Sequence, residues 1–534
     1  MKKILAMLLV LCTLVCLTAC DGGGVATGDM TGGDREVVLR FSYYAGGYGD
    51  AWLKAIAEDY LTVQDKVGIE LIPSYDNNSA IADVQSGSAS SDLYQVEMGV
   101  FGNADVLLDL SDVYNSAAYG EETLIKDKIG TEWVEFYNED GKWYQVPNTK
   151  MNGWNWVYNK TVLDTVYGEG NYTMPRTTNE LFAFGDDLFN NHSTFLMVSA
   201  FGDVQGGDYT HYLGQVWFAQ MLGKERFEQY YNGHYYDEAS GTYKLSEGSP
   251  IVVQQNKAAI EATYKVIHTM SVKENHYMFS QSDSLNYKQA DQAFYGGYIN
   301  NGVPVNIAMM YTGAWLETEV ADLLEDGIIT QQDARAMKMP VISDIIQRTP
   351  SIKDDAALSA VVAYVDGEGE LPAGVTEADV AIVREARSLV CENVCRSMVV
   401  PSNTQHPEEV KDFLRYLASD RAQKISAQNA NGLSQLPFGY TPTEENCGMD
   451  FTPYVESVYA IKKDAVILDV SNLDKPFYQV SALDWYYDIN GDITKALFAG
   501  RGADPSEIYQ NTYDYYNTKQ WQTYIDAYKT MVGE

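Results

Sequence analysis

The chain has 534 residues, 46% of them apolar, so it can bury a large core and is long enough for two lobes. Its 74 acidic against 37 basic residues give a formal net charge of −37, which argues against nucleic acid and against adsorption to anionic lipid. With 40 Tyr and 9 Trp against 6 His, the composition favours binding surface over acid–base catalysis.

In chain order, Lys2 and Lys3 precede an almost unbroken apolar run, Ile4 to Leu17, too short and wrongly flanked for a membrane span. It ends in Leu17-Thr18-Ala19-Cys20, which resembles the bacterial lipobox. Residues 1–19 therefore read as a lipoprotein signal peptide and Cys20 as the lipidated first residue of the mature chain. Residues 20–36 are Gly-rich and read as a flexible tether. The expected location is the extracytoplasmic face of the cell membrane, on a lipid anchor. Cys391, Cys395 and Cys447 remain beyond the leader, which is not a disulfide framework. Cys391 and Cys395 are four apart in a helical pattern. No His lies at ligand spacing, so buried thiols are expected there rather than a metal site.

Val37 to Phe41 reads as a first strand, followed by a Gly-rich aromatic loop to Asp50. Trp52 to Leu61 is a helix with Trp52, Ile56 and Tyr60 on one side. Gly68 to Pro73 closes a βαβ unit and runs into the polar loop Tyr75 to Asn78. Asp92 to Val96 is a third strand. The Gly-rich loop lacks the full glycine spacing of a dinucleotide site. Trp143 to Val146 is a strand that Pro147 breaks, and Trp154 to Tyr158 is a second extended run; together they carry the chain between lobes. Phe195 to Phe201 is an apolar strand followed by GDVQGGDYTHY, and the helix after it is Leu213 to Leu222. Gly233 to Gly248 is hairpin-like.

The stretch Asn306 to Glu319 reads NIAMMYTGAWLETE. Val305 to Met310 is a strand, Tyr311-Thr312-Gly313 a break, and Leu316 to Leu324 a helix. Ligands of open α/β folds bind beyond the carboxyl ends of strands. Trp315, at the turn, either presents a flat face to a cleft or plugs the core at a helix start. Asp354 to Val394 has helical periods and reads as an insertion. RSMVVPS returns as a strand, with helices from Pro407 and Arg421. Trp485 opens a further helix, and Pro505 to Tyr528 gives the closing ones. DINGD, Asp488 to Asp492, lacks the distal Glu of a calcium loop.

This succession resembles the extracellular solute-binding proteins of bacterial ABC importers, in the carbohydrate-binding group that includes maltose-binding protein. The segments that carry it are the first strand and its aromatic loop, SDLYQV, DGKWYQVP with VYNK, MPRTTNEL, NIAMMYTGAWLE, RSMVVPSNTQHPEEVKDFLRYLAS, NGLSQLP and DWYYDINGDITKALFAG. The resemblance implies a two-lobed α/β fold, the type II periplasmic-binding-protein-like fold, with the ligand cleft between lobes. Residues 37–147 would begin lobe 1 and 148–303 lobe 2. Residues 304–345 would form the strand–turn–helix and a crossing segment, and 346–395 an inserted helical subdomain. Residues 396–435 would return to lobe 1, and 436–534 would supply C-terminal helices of lobe 2.

By resemblance Trp315 and Trp485 are sugar-stacking positions, with Tyr486 beside the latter. Asp208 and Tyr209 form an acid–aromatic pair, and Tyr44, Tyr48 and Asp50 lie where the first-lobe loop meets ligand. Asn152 falls near a polar contact, and Glu97 is a further candidate. Asn77, at a strand end, and Trp154, in the second extended run, complete the set. Aromatics cover the apolar face of a pyranose, and Asp, Glu and Asn bond its hydroxyl fringe. The expected partners are a carbohydrate and a membrane permease, the protein acting as a monomer with no cofactor, metal or catalysis. Trp315→Ala and Trp485→Ala are expected to weaken sugar binding with little loss of fold. Two competing readings are a glycan-active hydrolase, using carboxylates among Asp50, Asp208 and Glu317 about 5–10 Å apart, and a receptor for a peptide or polyamine.

Overall fold

The structure, a computed structural model, describes residues 35–532 except 48, 75, 98–103, 131–132, 135–136, 140, 151–152, 202–205, 301, 393, 435, 470–482, 484–492 and 518–519. Eleven strands build its two main sheets. They are β1 (Val37–Tyr44), β2 (Val67–Ser74), β3 (Leu93–Glu97), β4 (Gln145–Lys150), β5 (Trp154–Asn159), β6 (Phe195–Val198), β7 (Ile307–Gly313), β8 (Ala334–Met337), β9 (Leu389–Glu392), β10 (Val394–Val399) and β11 (Val466–Asp469). The first sheet has the order β2-β1-β3-β10-β4, and the second β11-β9-β5-β7-β6, with β8 also pairing β5. Helices accompany both, so the chain is α/β with two mixed sheets.

The first sheet begins as the expected βαβ unit. β1 pairs in parallel with β2 and β3. The helix Ala51–Val63 joins β1 to β2 and buries Trp52, Ile56 and Tyr60. Tyr60 packs edge-on to Phe413 at 5.1 Å, and its hydroxyl donates to Asp412 at 2.8 Å. The late helix Pro407–Leu417 thereby closes the core of the first sheet. In the second sheet every residue of β7 is buried, as a continuous apolar run requires when both faces are covered. Trp156 packs against Trp217 at 6.1 Å, which pins the helix Gly206–Leu222 to this sheet.

Among the described residues the chain passes between the sheets three times. β4 leads to β5 through 151–153, and β9 leads to β10 through 393. The third passage follows the helix Asp420–Gln428, which packs on Ala51–Val63. It ends at Pro453–Lys462, where Ser457 Oγ accepts the Ala336 N–H of β8 at 2.8 Å.

Several local expectations are corrected. β7 does not stop at Met310 but runs through Gly313, because β5 supplies its hydrogen-bond ladder as far as Gly313 opposite Trp154. Pro147 does not break its strand: it lies in β4, at the sheet edge and beside a register irregularity, where a missing N–H is tolerated. The helix expected from Leu213 starts earlier, at Gly206, and so includes Asp208 and Tyr209. Cys391 and Cys395 lie on strands β9 and β10, not on one helix; the helix Glu377–Ser388 ends before them. Cys391 and Cys447 are buried thiols. Among the described residues no helix is long and apolar enough to cross a membrane.

Candidate functional site

The first crossing gathers an aromatic cluster. Antiparallel pairing sets Trp154 opposite Gly313 and Trp156 opposite Tyr311, so these four residues share one face of the second sheet. Gly313 leaves room on that face. A Cβ there would run into the ring of Trp315, which folds back over the glycine. Trp315 meets Trp154 edge-on, with centroids 4.8 Å apart. Tyr209 and Tyr212, on the helix Gly206–Leu222, approach the same indole at 4.9 and 4.6 Å. Tyr311 lies near-parallel to it at 6.2 Å.

The backbone holds this arrangement. Gly153 adopts φ +99°, a conformation that suits glycine. Its carbonyl accepts the Ala314 N–H and Asn155 Nδ2, both at 3.1 Å. Tyr454 donates its hydroxyl to the Gly313 carbonyl at 3.0 Å. Trp154 and Trp315 are only 5% and 6% exposed, so both are core residues as well as candidate contacts. Burial, then the neighbouring Cys391 and Tyr212, drives the Tyr311 hydroxyl well above its usual range. Tyr311 Oη and Trp154 Nε1 have no hydrogen-bond partner among the described residues.

The first-lobe candidates lie along the carboxyl edge of the first sheet. Tyr44 ends β1, and Glu97 ends β3 opposite Arg396 of β10. The guanidinium of Arg396 stands 3.7 Å from the ring centroid of Tyr44. Asp50 accepts the Tyr43 hydroxyl at 2.5 Å and pairs with Lys54 at 2.9 Å. Asn77 is half-buried and opens the helix Asn77–Gln85, which Asp76 caps through the N–H groups of Asn78 and Ser79. This edge approaches the Trp315 turn. A Cβ on Gly49 would stand 3.8 Å from Thr318 Cγ2.

Glu317, two residues beyond Trp315, accepts the Thr452 hydroxyl at 2.7 Å. Burial raises its pKa and the Thr452 bond opposes the rise. It faces a cavity of about 680 Å³ that Tyr295 and Tyr454 also line. Among the described residues no group of three or more His, Cys, Asp or Glu is placed to hold a metal ion.

The structure thus brings Trp154, Tyr209 and Trp315 together, and sets Tyr44, Asp50, Asn77 and Glu97 on or beside the first-sheet edge. Tyr48, Asn152, Trp485, Tyr486 and Cys20 lie outside the described residues, and the Asp208 and Glu97 side chains are not described. Sequence reasoning missed Tyr212, Tyr311 and Arg396. Tyr212 follows Tyr209 by three residues on one helix, a spacing that places both on one face.

No protein-family profile and no curated protein sequence matches the chain. Solved structures do. A chitin oligosaccharide binding protein superimposes with TM-score 0.58 at 14% identity, over 92% of this chain and 99% of that one. The GacH receptor of Streptomyces glaucescens, solved unliganded and with acarbose, gives 0.54 at 14% identity over 92% and 99%. RafE, known from Streptococcus pneumoniae and solved with raffinose, gives 0.54 at 14% identity over 90% and 98%. Over some nine-tenths of its length, the chain has the two-lobed α/β fold of these solute-binding proteins.

Proposed function

We propose that this chain is a lipid-anchored extracellular receptor that captures an oligosaccharide between its lobes and delivers it to the permease of an ABC importer, without catalysis. The observation that carries the reading is the cluster of Trp154, Tyr209, Tyr212, Tyr311 and Trp315 at the first crossing. Flat rings suit the apolar face of a pyranose, and a cluster beside a crossing would be covered when the lobes close. The fold supports it, since RafE and the chitin oligosaccharide binding protein take saccharides.

In this reading Trp154, Tyr209 and Trp315 contact sugar from the second lobe, with Asp208 and Asn152 alongside. Tyr44, Tyr48, Asp50, Asn77 and Glu97 contact it from the first, and Trp485 with Tyr486 adds a second stacking position. Cys20 carries the lipid. The test is a titration of the soluble chain with mono- and oligosaccharides, followed by assay for released reducing ends. Saturable binding with no product supports the receptor. Turnover abolished by a carboxylate substitution at Asp50, Asp208 or Glu317 would replace it with a hydrolase.

A further inference from the structure

Arg396 lies near the start of β10, opposite Glu97 of β3 and Thr149 of β4. Because β10 runs against both strands, its first residues share an edge with the carboxyl ends of β1, β3 and β4. That is the edge on which α/β folds place ligands. The guanidinium stacks on Tyr44 at 3.7 Å, and Tyr44 is itself fixed. Gln95 Oε1 accepts the Tyr44 N–H at 2.9 Å, while Gln95 Nε2 donates to Thr149 Oγ1 at 2.7 Å. A guanidinium held on a ring face keeps its N–H fork free for donation in its own plane.

Arg396 Nη1 is buried and has no hydrogen-bond partner among the described residues. That is notable where acids outnumber bases 74 to 37. Other cations of low exposure have an acid at hand: Lys128 pairs with Glu121, Arg387 with Asp366 and Lys462 with Glu392. A planar fork on a stacking tyrosine, with Nη1 unpartnered among the described residues, matches a carboxylate or sulfate, each of which offers two oxygens to parallel N–H donors.

We propose that Arg396, held flat on Tyr44, receives an anionic group of the captured saccharide, carboxylate or sulfate, and so sets a preference for acidic over neutral sugars. This rests on the sugar-receptor reading above and narrows its substrate class.

The test is calorimetric titration of the soluble chain with matched sets of uronic-acid, sulfated and neutral oligosaccharides. The expected result is affinity about 10- to 100-fold higher for an anionic set than for its neutral counterpart, the scale of a hydrogen bond to a charged group. The uronic-acid and sulfated arms tell the two anions apart. Arg396→Gln should bring that ratio close to one, and Arg396→Lys, which keeps charge but loses the fork, should restore only part of it. Melting curves confirm that each variant folds, and the wild-type ratio stands as a test by itself. Equal or tighter binding of neutral sugars by the wild type overturns the proposal and leaves the receptor reading in place, as does a full anionic preference in folded Arg396→Gln. Binding of no sugar at all overturns both.

Discussion

Trp315 meets Trp154 edge-on at 4.8 Å, an indole from the end of one strand closing on an indole from the start of its antiparallel neighbour. The contact depends on a glycine. Any side chain at position 313 would occupy the space of the Trp315 ring. The indoles proposed to meet sugar are therefore also core, and mutations should be felt in both binding and stability.

Trp315→Ala is expected to weaken saccharide binding about tenfold or more, the worth of one large buried apolar face. It should also cost stability, about 3–5 kcal/mol, as truncation of a buried aromatic does. This revises the expectation of an intact fold, because Trp315 is buried. Titration and melting of one sample measure both. Full affinity in a folded variant would remove Trp315 from the site.

Gly153→Ala should destabilise by about 1–3 kcal/mol, because φ +99° is a strained conformation for any residue with a Cβ. The new methyl would stand in ordinary contact with Val390, with Cβ 3.4 Å from Cγ1, so the cost lies in the backbone. Denaturant unfolding of the variant gives the figure. An unchanged midpoint would mean that the crossing does not hold this conformation in solution.

Asp291 is buried, with Oδ2 unpartnered among the described residues, and burial pushes its pKa up to about 8 against a partial pull from Lys288. A raised carboxyl stabilises the fold fully below its unfolded value, near 4, and that contribution is lost as pH rises towards about 8. Wild-type melting temperature should therefore fall between pH 5 and pH 8 more than that of Asp291→Asn. At pH 8 the variant should be more stable by about 1–3 kcal/mol. Parallel pH profiles would count against a buried neutral carboxyl.

Asp366 behaves oppositely. Burial alone would raise its pKa, but Arg387 at 2.8 and 3.0 Å and Lys338 at 2.8 Å outweigh burial and hold it below the usual range. Its contribution is present above the unfolded value and lost as pH falls through the folded one. Asp366→Asn should cost about 2 kcal/mol at neutral pH, and the difference should shrink in acid. A constant difference down to pH 2 would contradict the pairing.

The legible parts of the chain were those with local causes. The βαβ start follows from apolar runs and a helical stripe ending at Tyr60, and the hairpin His234–Asp237 with Thr242–Leu245 falls within the hairpin-like stretch Gly233 to Gly248. Strand ends were harder. Tyr311 to Gly313 look like a break until β5, far earlier in sequence, supplies their ladder. Pro147 looks like a terminator until its edge position is known. Trp315 stood out as an indole beyond a strand, but its burial depends on Trp154 and Gly313, which only the paired strands bring together. Arg396 carried no pattern at all: a lone arginine on a strand acquires meaning only from the tyrosine beneath it.

The most direct measurement of the central claim is a thermal-shift titration of the soluble chain against mono- and oligosaccharides, with non-sugar solutes alongside. Binding to the folded state alone raises the melting temperature by mass action. The account predicts a saturable rise with one class of saccharide and no released product. A flat response to every sugar, with a clear shift for a peptide, polyamine or other solute, would contradict it.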